Sequence, residues 1–124
     1  MAINTSTISN PLYTTVSVDT TADLTLESFN NVATTVYAIE IVNPNTSPVW
    51  VRINWAASGG TTATQYDNIF YCGGNGTCSI YCGSGYAITA GLQVWCSTQA
   101  GTANDATVTA PGKGVTITMA FKDT

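Results

Sequence analysis

The stretch Gly114 to Lys122, GVTITMAFK, places a large apolar side chain at every second position, and PVWVRINWA at 48–56 does the same. Strict period-two alternation puts every second side chain on one face of an extended strand. No segment of helical length carries apolar residues at i, i+3, i+4 and i+7. Helical and α/β architectures are therefore excluded, and strands are the building material. In 48–56, Val49, Val51, Ile53 and Trp55 share one face, while Trp50, Arg52 and Asn54 share the other. In the closing stretch, Val115, Ile117, Met119 and Phe121 are expected to point inward.

Turn formers separate the alternating segments. LYTTVSV (12–18) and ADLTLES (22–28) flank DTT, which predicts a hairpin. TVYAIEIVN (35–43) and PVWVRINWA form an expected second pair around NPNTSP, where Pro44 and Pro48 cannot donate to a ladder. GGNG (73–76) is a tight-turn signal between NIFYC (68–72) and TCSIYC (77–82). Leu92, Val94 and Cys96 alternate with Gln93, Trp95 and Ser97, and Pro111-Gly112 turns the chain into its last strand. The sum is an all-β, single-domain antiparallel β-sandwich of about eight strands, with jelly-roll and immunoglobulin-like topologies both open.

A chain of 124 residues can bury roughly two-thirds of its unfolded surface, enough for one core. Residues 1–11 hold only Ile3 and Ile8 as sizeable apolar anchors and end at Pro11, so an N-terminal arm is expected there. The sandwich then spans 12–124. The start, MAINTSTISNPL, has neither the basic nor the apolar region of a secretory signal, so none is expected.

Charge narrows the function. Charged residues make up 8% of the chain, against roughly 25% in typical domains. The cationic side chains are Arg52, Lys113 and Lys122, against seven acids, for a net charge of −4. Nucleic-acid binding needs clustered cations to neutralise phosphates, and anionic membranes need the same, so neither is expected as a partner. Charge is also the usual guard against association. A surface this poor in it suits a protein that lives docked in an assembly or one in a secreted setting, the first being favoured.

Catalysis has little to stand on. The chain contains no histidine, which removes Ser-His and Cys-His couples. Asp19, Asp23, Asp67, Asp105 and Asp123 fall in or beside predicted turns, where short acids bond the backbone locally. The EF-hand calcium pattern is missing. An enzyme is not expected, nor a cofactor. Cys72, Cys78, Cys82 and Cys96 are spaced C-x5-C-x3-C-x13-C without a CxxC knuckle, which disfavours zinc. Two readings stay open for them: disulfides, with Cys72–Cys78 and Cys82–Cys96 as one of three pairings, or buried free thiols acting as small hydrophobes. Trp50, Tyr66, Tyr71, Tyr81, Tyr86 and Trp95 include outward-facing aromatics, suited to a sugar platform or to cover by a loop or subunit, the second being favoured. Sequons at Asn4, Asn45 and Asn75 arise by chance in a chain so rich in Asn, Ser and Thr.

Two longer stretches go further. In VYAIEIVNPNTSPVWVRINWAAS an apolar strand ends at Val42-Asn43, a short polar turn follows, and the next strand carries Val51-Arg52-Ile53 before a small-residue loop. In AITAGLQVWCSTQAGTAND, Gly91-Leu92-Gln93-Val94 opens a strand that leads into a long polar loop, and GVTITMAFKD closes the series. This pattern, over about residues 35 to 122, resembles small virion proteins of tailed bacteriophages. Residues 72–82, rich in cysteine, depart from it. The resemblance implies a capsid decoration (cement) protein located in the virion, a sandwich or jelly roll seated on the head. It also implies the major capsid protein and copies of the chain itself, as a homotrimer, for partners. Trp50, Arg52, Asn54 and Trp95 are then expected as a contact face, with Ile3, Ile8 and Leu12 as a clamp. A carbohydrate- or receptor-binding sandwich is the alternative.

Overall fold

A computed structural model of the chain describes residues 3–7, 15–22, 26–55, 68–88, 90–99 and 109–123. These residues form nine strands and no helix: β1 (Ile3–Thr7), β2 (Thr15–Ala22), β3 (Glu27–Asn30), β4 (Thr34–Val42), β5 (Val49–Asn54), β6 (Asn68–Cys72), β7 (Thr77–Ile88), β8 (Leu92–Ser97) and β9 (Val115–Asp123). They divide into a five-stranded sheet, β1-β2-β9-β4-β7, and a four-stranded sheet, β3-β8-β5-β6. The pairing is nested. β2 pairs with β9, β3 with β8, β4 with β7 and β5 with β6, each antiparallel. The chain is thus one long hairpin of four nested pairs, rolled so that successive pairs alternate between two sheets. That is the jelly-roll arrangement, and the immunoglobulin-like alternative falls away.

The expected faces hold. Val49, Val51 and Ile53 of β5 meet Leu92, Val94 and Cys96 of β8 and Val115, Ile117, Met119 and Phe121 of β9 in one core between the sheets. Each of the larger side chains contributes about 1.5–3 kcal/mol by leaving water. In β4 the inward side chains are Val36, Ile39 and Ile41, so the alternation breaks once. The cause is a bulge at Tyr37: Val36 and Ala38 pair with the adjacent Phe121 and Ala120 of β9. Across from the same bulge β7 makes an excursion, with Val36 opposite Tyr86 and Ala38 opposite Tyr81. Gly83 and Gly85 carry positive φ angles of 56° and 113° there. A Cβ at Gly85 would run into the methyl of Thr35 and the ring of Tyr37.

The local hairpins expected from turn signals do not form. β2 and β3 lie in different sheets, as do β4 and β5, and β6 and β7. DTT lies inside β2 rather than in a turn, while NPNTSP and GGNG are corners that carry the chain from one sheet to the other. The described part of the expected arm is also not free: β1 lies antiparallel to β2, with Ile3 opposite Asp19 and Thr7 opposite Thr15. The boundary expected at residues 11 and 12 lies outside the described residues.

Two of the corners are tied together by Asn43, which is buried at the end of β4. Its Nδ2 donates to the carbonyls of Ser47 at 2.9 Å, Gly73 at 3.1 Å and Cys72 at 3.4 Å. Its Oδ1 accepts from the backbone and the side chain of Asn45 at 3.0 and 2.9 Å. Asn45 in turn exchanges two hydrogen bonds with the backbone of Lys113 ahead of β9. Backbone bonds from Asn43 to Gly76 and from Asn75 to Asn45 complete the knot. A Cβ at Gly74 would collide with the carbonyl oxygen of Thr46, so only glycine lets the 73–76 turn come this close. The Asn45 sequon is therefore structural in use, since both ends of its amide are bonded.

Candidate interaction surface

The expected contact face is largely internal. Arg52 is 1% exposed and Trp95 is completely buried, although both lie on the side of the four-stranded sheet turned away from the core. The two are opposite one another across β5 and β8. Arg52 Nη2 donates to the Gln99 carbonyl at 3.0 Å, so a backbone acceptor just past β8 takes the place of a partner. Gln93 and Ser97 beside them are buried too. Alternation assigns a face correctly but cannot say whether the chain itself covers that face. Asn54 is half-buried and donates to Gln93 Oε1 at 3.0 Å. Trp50 is half-buried, with its ring edge-to-face against Tyr71 at 5.3 Å. Ile3 sits in β1, while Ile8 and Leu12 lie outside the described residues.

The exposed aromatics gather elsewhere. β6 is an edge of the four-stranded sheet and β7 an edge of the five-stranded sheet, and the two edges lie on the same side of the sandwich. Tyr71 of β6 is 57% exposed, and Tyr81 and Tyr86 of β7 are 80% and 50% exposed. All the exposed tyrosines among the described residues thus lie along one rim. Between the two edges the sheets part to leave an opening of about 100 Å³, lined by Val36, Ile39, Trp55, Phe70, Cys82 and Tyr86, with Asn68 as its polar member. Trp55 and Tyr86 reach across it with ring centroids 5.7 Å apart. Tyrosine supplies apolar area together with a hydroxyl that tolerates water, which is why it is enriched where proteins meet. These tyrosines were visible in the sequence as outward-facing residues. Their grouping was not, because it depends on which strands end up at the edges.

All four cysteines carry free thiols, so of the two readings left open the structure has the unbridged one, and they do not converge on a metal site. Cys72 is buried and its thiol donates to the carbonyls of Ile41 and Gly76 at 3.7 and 3.5 Å. Cys96 donates to the Ala22 carbonyl at 3.3 Å within the core. Burial pushes the Cys72 pKa up, and the neighbouring Cys78 thiol adds to that, while backbone N–H groups of Asn43 and Cys78 partly offset it. Burial also raises the pKa of Cys82. A raised thiol pKa keeps the unreactive neutral form at mildly alkaline pH. With a disulfide-exchange reagent at pH 8, the half-buried Cys78 is expected to react first in the folded protein, the half-buried Cys82 more slowly because of its raised pKa, and Cys72 and Cys96 only after unfolding. Counting four thiols in urea without reductant checks the free state. Two or none would mean that bridges form.

The chain matches no protein-family model, no curated protein and no solved structure.

Proposed function

We propose that this chain is a virion structural protein, a decoration protein that seats on the head of a tailed bacteriophage and stabilises it. It would do so by contact with the major capsid protein and with its own copies. The observation that most supports this reading is the tyrosine-bearing rim of β6 and β7 on a chain with 8% charged residues. Such a rim gains from being covered, because large apolar area leaves water while the hydroxyls keep hydrogen-bond partners. The jelly roll is compatible with this role and with many others, so the role rests on the rim and on the phage-like pattern of residues 35 to 122. Binding through the rim would involve no bond-making chemistry.

Co-sedimentation of the purified protein with assembled shells lacking it is the test. Wild type is expected to pellet with shells at saturating occupancy. Tyr71→Ser and Tyr81→Ser, both at exposed positions, are each expected to weaken binding by about tenfold, the effect of a moderate interface anchor. Absence from the pellet at any concentration would overturn the reading. The opening between Trp55 and Tyr86 favours a second reading, a sugar-binding module, which a glycan array would reveal. The opening is about 100 Å³ and faces solvent, so it would take one edge of a sugar ring rather than enclose a whole hexose.

A further inference from the structure

Both edges of the five-stranded sheet are free of charge. β1 reads INTST and β7 reads TCSIYCGSGYAI, and neither holds Lys, Arg, Asp, Glu or Pro. The charges of this sheet sit instead in its inner strands, at Asp19, Glu40, Lys122 and Asp123. This inverts the usual arrangement, in which edge strands carry lysine, proline or inward charges to stop further pairing. β7 is also twelve residues long, and among the described strands only β4 pairs with it. Ahead of its excursion, over Thr77 to Tyr81, the edge carries no charge or proline, and its outward backbone N–H and C=O groups have no strand partner among the described residues, so their natural complement is another extended strand.

We propose that β7 is a self-association edge, at which two copies of this chain join their five-stranded sheets into one ten-stranded sheet. The occupant is a second copy because the chain supplies both halves of the joint. Strand direction selects the geometry. Successive pairs in this sheet are all antiparallel, so β1, β9 and β7 run one way and β2 and β4 the other. Joining β7 to β1 of a copy facing the same way would make a parallel pair in an antiparallel sheet. A two-fold axis perpendicular to the sheet sets β7 against itself antiparallel and continues the existing ladder. Before the excursion at 82–85, Thr77 to Tyr81 form a regular ladder on β4, and this is the stretch available for pairing. Any register within it brings only uncharged residues face to face. The inference deepens the reading of the β6/β7 rim as a protein-binding surface, but it requires no shell.

Sedimentation velocity of the protein alone, over a concentration series, is the test. A dimer is expected at high micromolar concentration. Added salt should strengthen it, since each copy carries a net charge of −4 and screening reduces their repulsion. Ser79→Lys and Tyr81→Lys put like charges across the joint at exposed positions and should return the protein to monomer. Ala110→Lys, an exposed residue on the segment ahead of β9, changes the charge equally and should leave the dimer intact. In hydrogen exchange, amides of Thr77 to Tyr81 should gain protection as concentration rises. A monomer throughout, a trimer, or a dimer that survives both β7 lysines would overturn the proposal. The shell-binding assay reads separately, so loss of self-association and loss of shell binding can be told apart on the same variants.

Discussion

Asn43→Ala is expected to lower folding stability by about 3 kcal/mol, read as a lower urea midpoint with an unchanged slope. The side chain is buried, and its amide reaches three carbonyls on two different corners. Truncation leaves those carbonyls and the N–H groups of Asn45 without that partner, and each buried orphan costs about 1–3 kcal/mol. Some relaxation toward water at Ser47, which is exposed, keeps the total below the sum. Asn43→Asp separates hydrogen bonding from volume. It keeps the size and the acceptor facing Asn45, but loses both amide donors and turns a carboxylate toward three carbonyl oxygens. It should be at least as damaging as alanine. A loss under 1 kcal/mol for both variants would mean that the corners hold together without this side chain.

Trp95→Ala should cost about 3–5 kcal/mol, the range for removing a fully buried large aromatic. Trp50→Ala, on the same face of the same sheet but half-exposed, should cost about 1 kcal/mol, because less area is lost from contact and water can fill the gap. The comparison matters because the alternation pattern treats these residues alike. Trp95 lies opposite Arg52, and removing the indole would also open the buried guanidinium to solvent. Trp95 Nε1 has no acceptor among the described residues, so Trp95→Phe gives up volume but none of the described hydrogen bonds and should be milder than alanine. Unfolding is best followed by far-ultraviolet circular dichroism, since the substitution removes a fluorophore. Equal losses at Trp50 and Trp95 would contradict the burial described here.

Strand faces were legible because period two is a local property. Val49, Val51 and Ile53, and Val115 to Phe121, point where alternation puts them. Strand partners were not legible, because partner choice is non-local. A turn rich in Pro, Gly and Asn marks a reversal, but the same residues serve a hairpin within a sheet and a corner between sheets. NPNTSP read as a hairpin loop for this reason, and Asn43 read as one polar residue beside a turn. The bulge at Tyr37 did leave a trace: Val36 and Ile39 are three apart in an otherwise alternating run, as a bulge requires. For the rim, the residue type was visible in Tyr71, Tyr81 and Tyr86. Their common location follows from β6 and β7 being edges on one side, which depends on pairing across the whole chain.

The nested pairing also sets an order of events in time. β5 and β6 are the innermost pair, while β2 must find β9 across nearly a hundred intervening residues. Loop closure costs grow outward through the nest, so zipping from the β5/β6 end is the route of least entropy loss. β9 lies between β2 and β4, so the five-stranded sheet stays split until β9 has left the ribosome. A nascent chain halted before Val115 would hold β4 and β7 with one flank bare. Such a chain should bind chaperones and fold slowly on release, as expected for folds dominated by distant contacts.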